Sequence, residues 1–164
     1  MPGKLLVFGA GFTGSRLVAA LQAEGWQAAG TSRSGENGML LFEDGGRLAG
    51  EALAGVTHVV ASVPPGGDGD PVLNAHAGDL ARSETLVWAG YLSTTGVYGD
   101  HGGAWVDELS ETRPTAERSK RRLAAEMAWT EWGKAAGIPV QIFRLAGIYG
   151  PGRNALERVR GGKA

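Results

Sequence analysis

The sequence predicts an α/β protein with a doubly wound parallel sheet, on two observations. Strand and helix signals alternate along the 164 residues. The first of these strands also runs directly into a glycine turn that opens a helix. Leu5-Leu6-Val7-Phe8 enters Gly9-Ala10-Gly11-Phe12-Thr13-Gly14, and residues 15–21 follow with apolar positions at helical spacing. A G-x-G-x-x-G placed between a buried strand and a helix N-terminus has a mechanism. Gly9 permits the tight turn, Gly11 lets a pyrophosphate approach the backbone, and Gly14 lets the helix pack closely on the strand. The unpaired N–H groups and positive dipole end of the helix then face the phosphates.

The remaining elements follow in order. A first helix ending near Gly25 precedes a short second strand at 26–30 and a third at 39–42, before a weakly helical stretch over 47–54. The β-rich run 57–63 ends at Pro64-Pro65, a Gly/Asp-rich loop covers 66–70, and 72–83 is helical. A fifth strand occupies 86–93 and a long polar loop 99–114. The clearest later helix spans 116–136, with Leu123, Ala124, Met127, Ala128 and Trp132 in apolar rows expected to pack, and Gly137 suited to the residue after its end. Residues 139–145 form the last strand. Right-handed crossovers assemble these strands into one open sheet.

Composition narrows the function. The formal net charge is −1 and no basic block stands out, which argues against nucleic-acid or membrane-surface partners. No apolar run approaches the ~18 residues of a membrane helix, and no cationic segment precedes an apolar core at the N-terminus. The absence of cysteine excludes disulfides, thiol catalysis and zinc–thiolate sites and fits a cytoplasmic location. His58, His76 and His101 lack metal-ligand spacing, so no metal is expected.

Three segments together resemble the extended short-chain dehydrogenase/reductase superfamily, which includes nucleotide-sugar epimerases and dehydratases. They are the opening Gly-Ala-Gly-Phe-Thr-Gly, the middle Leu92-Ser93-Thr94-Thr95-Gly96-Val97-Tyr98-Gly99-Asp100, and the closing Arg144-Leu145-Ala146-Gly147-Ile148-Tyr149-Gly150-Pro151-Gly152-Arg153. The G-x-G-x-x-G spacing, Ser62-Val63-Pro64-Pro65 after the fourth strand, and Trp105-Val106-Asp107-Glu108 resemble the atypical branch of that superfamily, whose substrates are unknown. The resemblance implies a Rossmann NAD(P)-binding domain over 1–153. It implies that 154–164 begins a C-terminal substrate segment, missing or vestigial here, whose absence leaves a crevice for a partner to cover. A homo-oligomer is therefore expected.

The resemblance implies a nicotinamide cofactor held by Gly9, Gly11, Phe12, Thr13, Gly14, Ser32, Arg33, Ser62, Val63 and Pro64. At the end of the second strand no carboxylate occurs until Glu36, whereas Arg33 offers a fixed cation and Ser32 and Ser34 offer hydroxyl donors. A carboxylate there would bind the ribose 2′-hydroxyl of NAD, and an Arg accommodates a 2′-phosphate, so NADP is favoured and NAD is the alternative.

Family enzymes carry a Tyr-x-x-x-Lys pair on the helix after the long loop and a Ser or Thr on the preceding strand. Thr94 occupies the Ser/Thr position, with Thr95 as its neighbour. One register puts Lys120 at the lysine and Ala116 at the tyrosine; the other puts Arg118 and Arg122 at the two positions. Neither supplies a phenol, and Tyr98 is the nearest spare acid in sequence. The exposed-face reading of this helix gives its cations Glu117 and Glu126 as local ion partners. Two functions follow: hydride transfer on a small-molecule substrate of the nucleotide-sugar kind, or a non-catalytic NADP(H)-binding module or sensor.

Overall fold

The computed structural model describes residues 2–43, 46–154 and 159–162. Six strands form one parallel sheet in the order β3-β2-β1-β4-β5-β6. They are β1 (Lys4–Phe8), β2 (Gln27–Ser32), β3 (Leu40–Leu41), β4 (His58–Ala61), β5 (Trp88–Thr94) and β6 (Val140–Leu145). The helices are α1 (Phe12–Ala23), α2 (Gly50–Leu53), α3 (Pro71–Ala81) and α4 (Glu117–Ala136), and a 3₁₀ turn covers Thr95–Val97. The chain order reverses between β1 and β4, which makes the sheet doubly wound and creates a switch point at its centre. The glycine turn after β1 opens at that point.

The central strands are apolar because both their faces are covered. Leu6 and Phe8 of β1 point into a core shared with Val59, Ala61, Tyr91, Ala125 and Trp129, while Leu5, Val7 and Val60 meet Leu17, Val18 and Leu21 of α1. Helix α3 begins on Asp70, whose Oδ1 accepts from the amides of Val72 and Leu73, with Pro71 at its first position. Helix α4 ends on Gly137 in the left-handed conformation, φ 69°.

The packing face of α4 differs from the sequence expectation. Met127 is 58% exposed, and Ala124 and Ala128 are exposed as well. The helix instead turns Ser119, Ala125, Glu126, Trp129 and Gly133 inward. Gly133 sets that phase, because a Cβ on it would come within 2.4 Å of Val140 Cγ2 on β6. His76 is a core residue whose Nε2 accepts from the Leu48 amide at 3.0 Å, and its Nδ1 donates to Asp79. Of the expected segment 154–164, residues 155–158 and 163–164 lie outside the described residues.

Candidate functional site

Gly9 turns the chain with φ 78°, and a Cβ on it would lie 3.0 Å from the Val63 amide nitrogen after β4. Thr31 at the end of β2 fixes this turn from behind. Its buried Oγ1 accepts from the Gly9 amide at 3.0 Å, and its carbonyl accepts from the Ala10 amide at 2.7 Å. Gly11 donates to the Gly9 carbonyl, and Ser15 donates to the Gly11 carbonyl. The amides of Phe12, Thr13 and Gly14 are left as the unpaired N-terminal donors of α1. Gly14 is packing-limited, since its Cβ would lie 2.9 Å from Val7 Cγ1, whereas Gly11 has open space around it. Gly14 is thus limited by helix packing, and Gly11 by nothing within 4 Å. Thr31 was not evident in the sequence, because one threonine in a strand gives no sign of which group it faces.

Two cavities open along this end of the sheet. One of about 310 Å³ is lined by Gly9, Gly11, Ser32, Arg33, Ser62 and Val63, with Pro64 and Thr31. Arg33 is exposed, and Ser32 Oγ accepts from the Gly35 amide, which leaves its hydroxyl proton available to donate. A second cavity, about 400 Å³, is lined by Phe12, Thr13, Ser62, Pro64, Ser93, Thr94, Arg122 and Arg153 among others. Apart from Gly14, the predicted cofactor positions therefore line two cavities that share Ser62 and Pro64. A further cavity of about 550 Å³, lined by Arg47, Asp79, Arg82 and Thr85, lies at the other end of the sheet, away from the glycine turn.

The predicted catalytic residues separate into three groups. Thr94 and Arg122 share the second cavity. Thr95 and Tyr98 line a different one of about 520 Å³ with Asp107, Glu108 and Arg144. Lys120 is exposed and paired with Glu117 at 2.7 Å, and Arg118 is exposed. Of the two registers, the structure thus brings Arg122 to the cavity wall and leaves Lys120 outside. Arg122 Nη1 donates to the Leu92 carbonyl at 2.9 Å and the Tyr91 hydroxyl at 3.3 Å. Burial raises the Tyr91 phenol above its ordinary range against the lowering effect of Arg122, so Tyr91 is held neutral.

Glu126 is not a surface ion partner. Arg144 of β6 donates from Nε and Nη2 to both of its oxygens, and the Ser93 hydroxyl donates to Oε1. The Arg144 guanidinium carbon also lies 4.9 Å from the centre of the Tyr98 ring. This buried cluster ties α4, β5 and β6 together directly behind Thr94. Its one trace in the sequence is that Glu126 falls in the same helical row as Trp129 and Gly133. Among the described residues, no group of three His, Cys, Asp or Glu side chains is placed to hold a metal ion. No described helix is long and apolar enough to cross a membrane.

A parallel sheet in this order, with a glycine turn at its switch point and a Ser-Thr strand end opposite, decides the fold. The chain has the Rossmann-like parallel α/β fold of the NAD-bound epimerase structures on which it superposes. UDP-glucuronic acid 4-epimerase from Bacillus cereus, solved in complex with NAD, superposes with a TM-score of 0.72 at 22% identity, over 90% of this chain and 57% of the epimerase. A functionally unknown conserved protein from Silicibacter pomeroyi is more similar, with 44% identity and a TM-score of 0.82 over 93% of this chain and 56% of its own. Protein YeeZ of Escherichia coli K12 is 28% identical over 92% of this chain. The chain spans 61% of YeeZ's length. No protein-family model matches the chain.

Proposed function

We propose that this chain binds NADP(H) across its two adjoining cavities and belongs to a protein that transfers hydride to or from a small substrate of the nucleotide-sugar kind at Thr94. The observation that carries this reading is that the cavity holding the glycine turn and Arg33 shares Ser62 and Pro64 with the cavity lined by Thr94. The residues present fit the cofactor. The free amides of Phe12, Thr13 and Gly14 suit a pyrophosphate, open space at Gly11 admits it, and Arg33 with Ser32 suits a 2′-phosphate in place of a ribose hydroxyl. When bound, the nicotinamide supplies the hydride acceptor or donor. Thr94 orients the substrate oxygen, and Arg122 holds the cavity wall next to it.

A second reading, a non-catalytic NADP(H)-binding module, is favoured by one observation. No phenol occupies the helix position one turn before Arg122, and Tyr91 and Tyr98 are both buried. Oxidation of NADPH with a UDP-4-keto-hexose as acceptor separates the two. The enzyme reading expects Thr94→Ala to lower kcat by roughly 10²-fold or more while NADPH affinity is kept. The module reading expects no turnover above background in either protein.

A further inference from the structure

We propose that the cavity beside Thr94 selects a substrate bearing a carboxylate, gripped by the Nε/Nη2 edge of Arg122. The inference rests on the NADP(H) reading, because it takes this cavity as the meeting place of cofactor and substrate. The Arg122 guanidinium is fixed from one side only: Nη1 donates to the Leu92 carbonyl and the Tyr91 hydroxyl, and its carbon lies 5.6 Å from the Tyr91 ring centre. Among the described residues, neither Nε nor Nη2 of Arg122 has a hydrogen-bond acceptor, and no carboxylate forms an ion pair with it.

The same protein shows what that edge is suited to. Arg144 uses its own Nε and Nη2 to hold both oxygens of Glu126. Arg122, half-buried with that edge unpaired, lines a cavity together with Arg153, Thr13, Ser62 and Thr94, and no Asp or Glu lines it. Asp70 acts on Arg122 through space but is not part of that wall. A half-buried guanidinium with no ion-pair contact favours an anionic ligand, and a planar fork anchored at its far side favours a carboxylate over a point-charge contact. The dinucleotide phosphates have their own donors in the amides of Phe12, Thr13 and Gly14, so Arg122 is free for the second ligand.

Titration calorimetry with malonate, run with and without saturating NADP⁺, tests the proposal. Malonate is expected to bind the wild-type chain, and Arg122→Met and Arg122→Lys are each expected to weaken it roughly tenfold or more, since lysine keeps the charge but loses the fork. NADP⁺ affinity should fall by less than malonate affinity in Arg122→Lys, and thermal melts verify that both variants fold. Any one of three results would overturn the proposal: unchanged malonate affinity in Arg122→Lys, no wild-type malonate binding at millimolar concentration, or NADP⁺ affinity falling in parallel with malonate affinity. Inorganic phosphate binding more tightly than malonate and competing with NADP⁺ would also overturn it, assigning the guanidinium to the cofactor. Failure of NADP⁺ to bind the wild-type chain would remove the cofactor reading alone, because the malonate titration is also read without cofactor.

Discussion

Arg144 on β6 holds Glu126 on α4 through two nitrogens, with a closest approach of 2.7 Å, and Ser93 on β5 donates to the same carboxylate. Three elements that frame the cavity behind Thr94 are thereby fixed by one buried charge. Removing one partner of a buried pair strands the other in a low-dielectric site. Glu126→Ala is therefore expected to cost about 3–5 kcal/mol in urea denaturation, and Glu126→Gln less, because the amide oxygen still accepts from Arg144. A loss below about 1 kcal/mol in Glu126→Ala would mean that water replaces the pair.

Thr31 is expected to control the glycine turn. Thr31→Val preserves shape but leaves the half-buried Gly9 amide without its acceptor, at a cost of about 1 kcal/mol, and it loosens the backbone that presents the Phe12 to Gly14 amides. Thermal melts and dinucleotide titration of the same variant should fall together. A stability loss with unchanged dinucleotide affinity would separate the turn from the ligand.

Asp70 gives a pH signature. Burial raises its carboxyl above 3.8, against the opposing effects of the Leu73 and Val72 amides, the facing Trp129 indole and Arg122. Its folded state therefore holds the proton more tightly than the unfolded state. Its contribution is most favourable below 3.8 and declines as pH rises through the folded value. Asp70→Asn, which keeps an oxygen for the cap of α3, is expected to match or exceed wild-type stability at neutral pH and to lose that advantage in acid. Asp70→Ala loses the cap, about 0.5–2 kcal/mol, across the whole range. Denaturant melts of the three proteins across pH check both signs.

The elements of the sheet were legible because each carries local periodicity: six strand signals separated by helix or turn signals gave the fold before any contact was known. The glycine turn was legible for the same reason, as its geometry is local. The site behind Thr94 was not. Glu126 and Arg144 are 18 residues apart on different elements, and a charged residue on a helix reads as solvent-facing unless its row is phased correctly. Ala124, Met127 and Ala128 drew that phase toward the wrong face, because small and flexible apolar residues are tolerated on a surface, while Gly133 marked the true contact by having no side chain. Arg122 fits only one of two registers; the Leu92 carbonyl and Tyr91 hydroxyl that orient it lie on β5, 30 and 31 residues earlier in the chain.

Self-association is expected from the apolar surface beside β6. Tyr149 is 84% exposed, and Phe143 on this edge strand and Ile148 just after it are also exposed. Contiguous apolar patches of more than a few hundred Å² generally mark a contact surface. Sedimentation velocity should show a dimer or larger species that dissociates in Tyr149→Lys. A monomer at all concentrations would contradict this prediction.

The NADP(H) reading places a dinucleotide phosphate against Arg33 just after β2. Parallel fluorescence titrations with NADPH and NADH test it most directly. The chain is expected to bind NADPH about tenfold or more tightly than NADH, and Arg33→Asp to abolish the preference while leaving NADH affinity nearly intact. Equal affinity for the two cofactors in the wild-type chain, or a preference that survives Arg33→Asp, would contradict it.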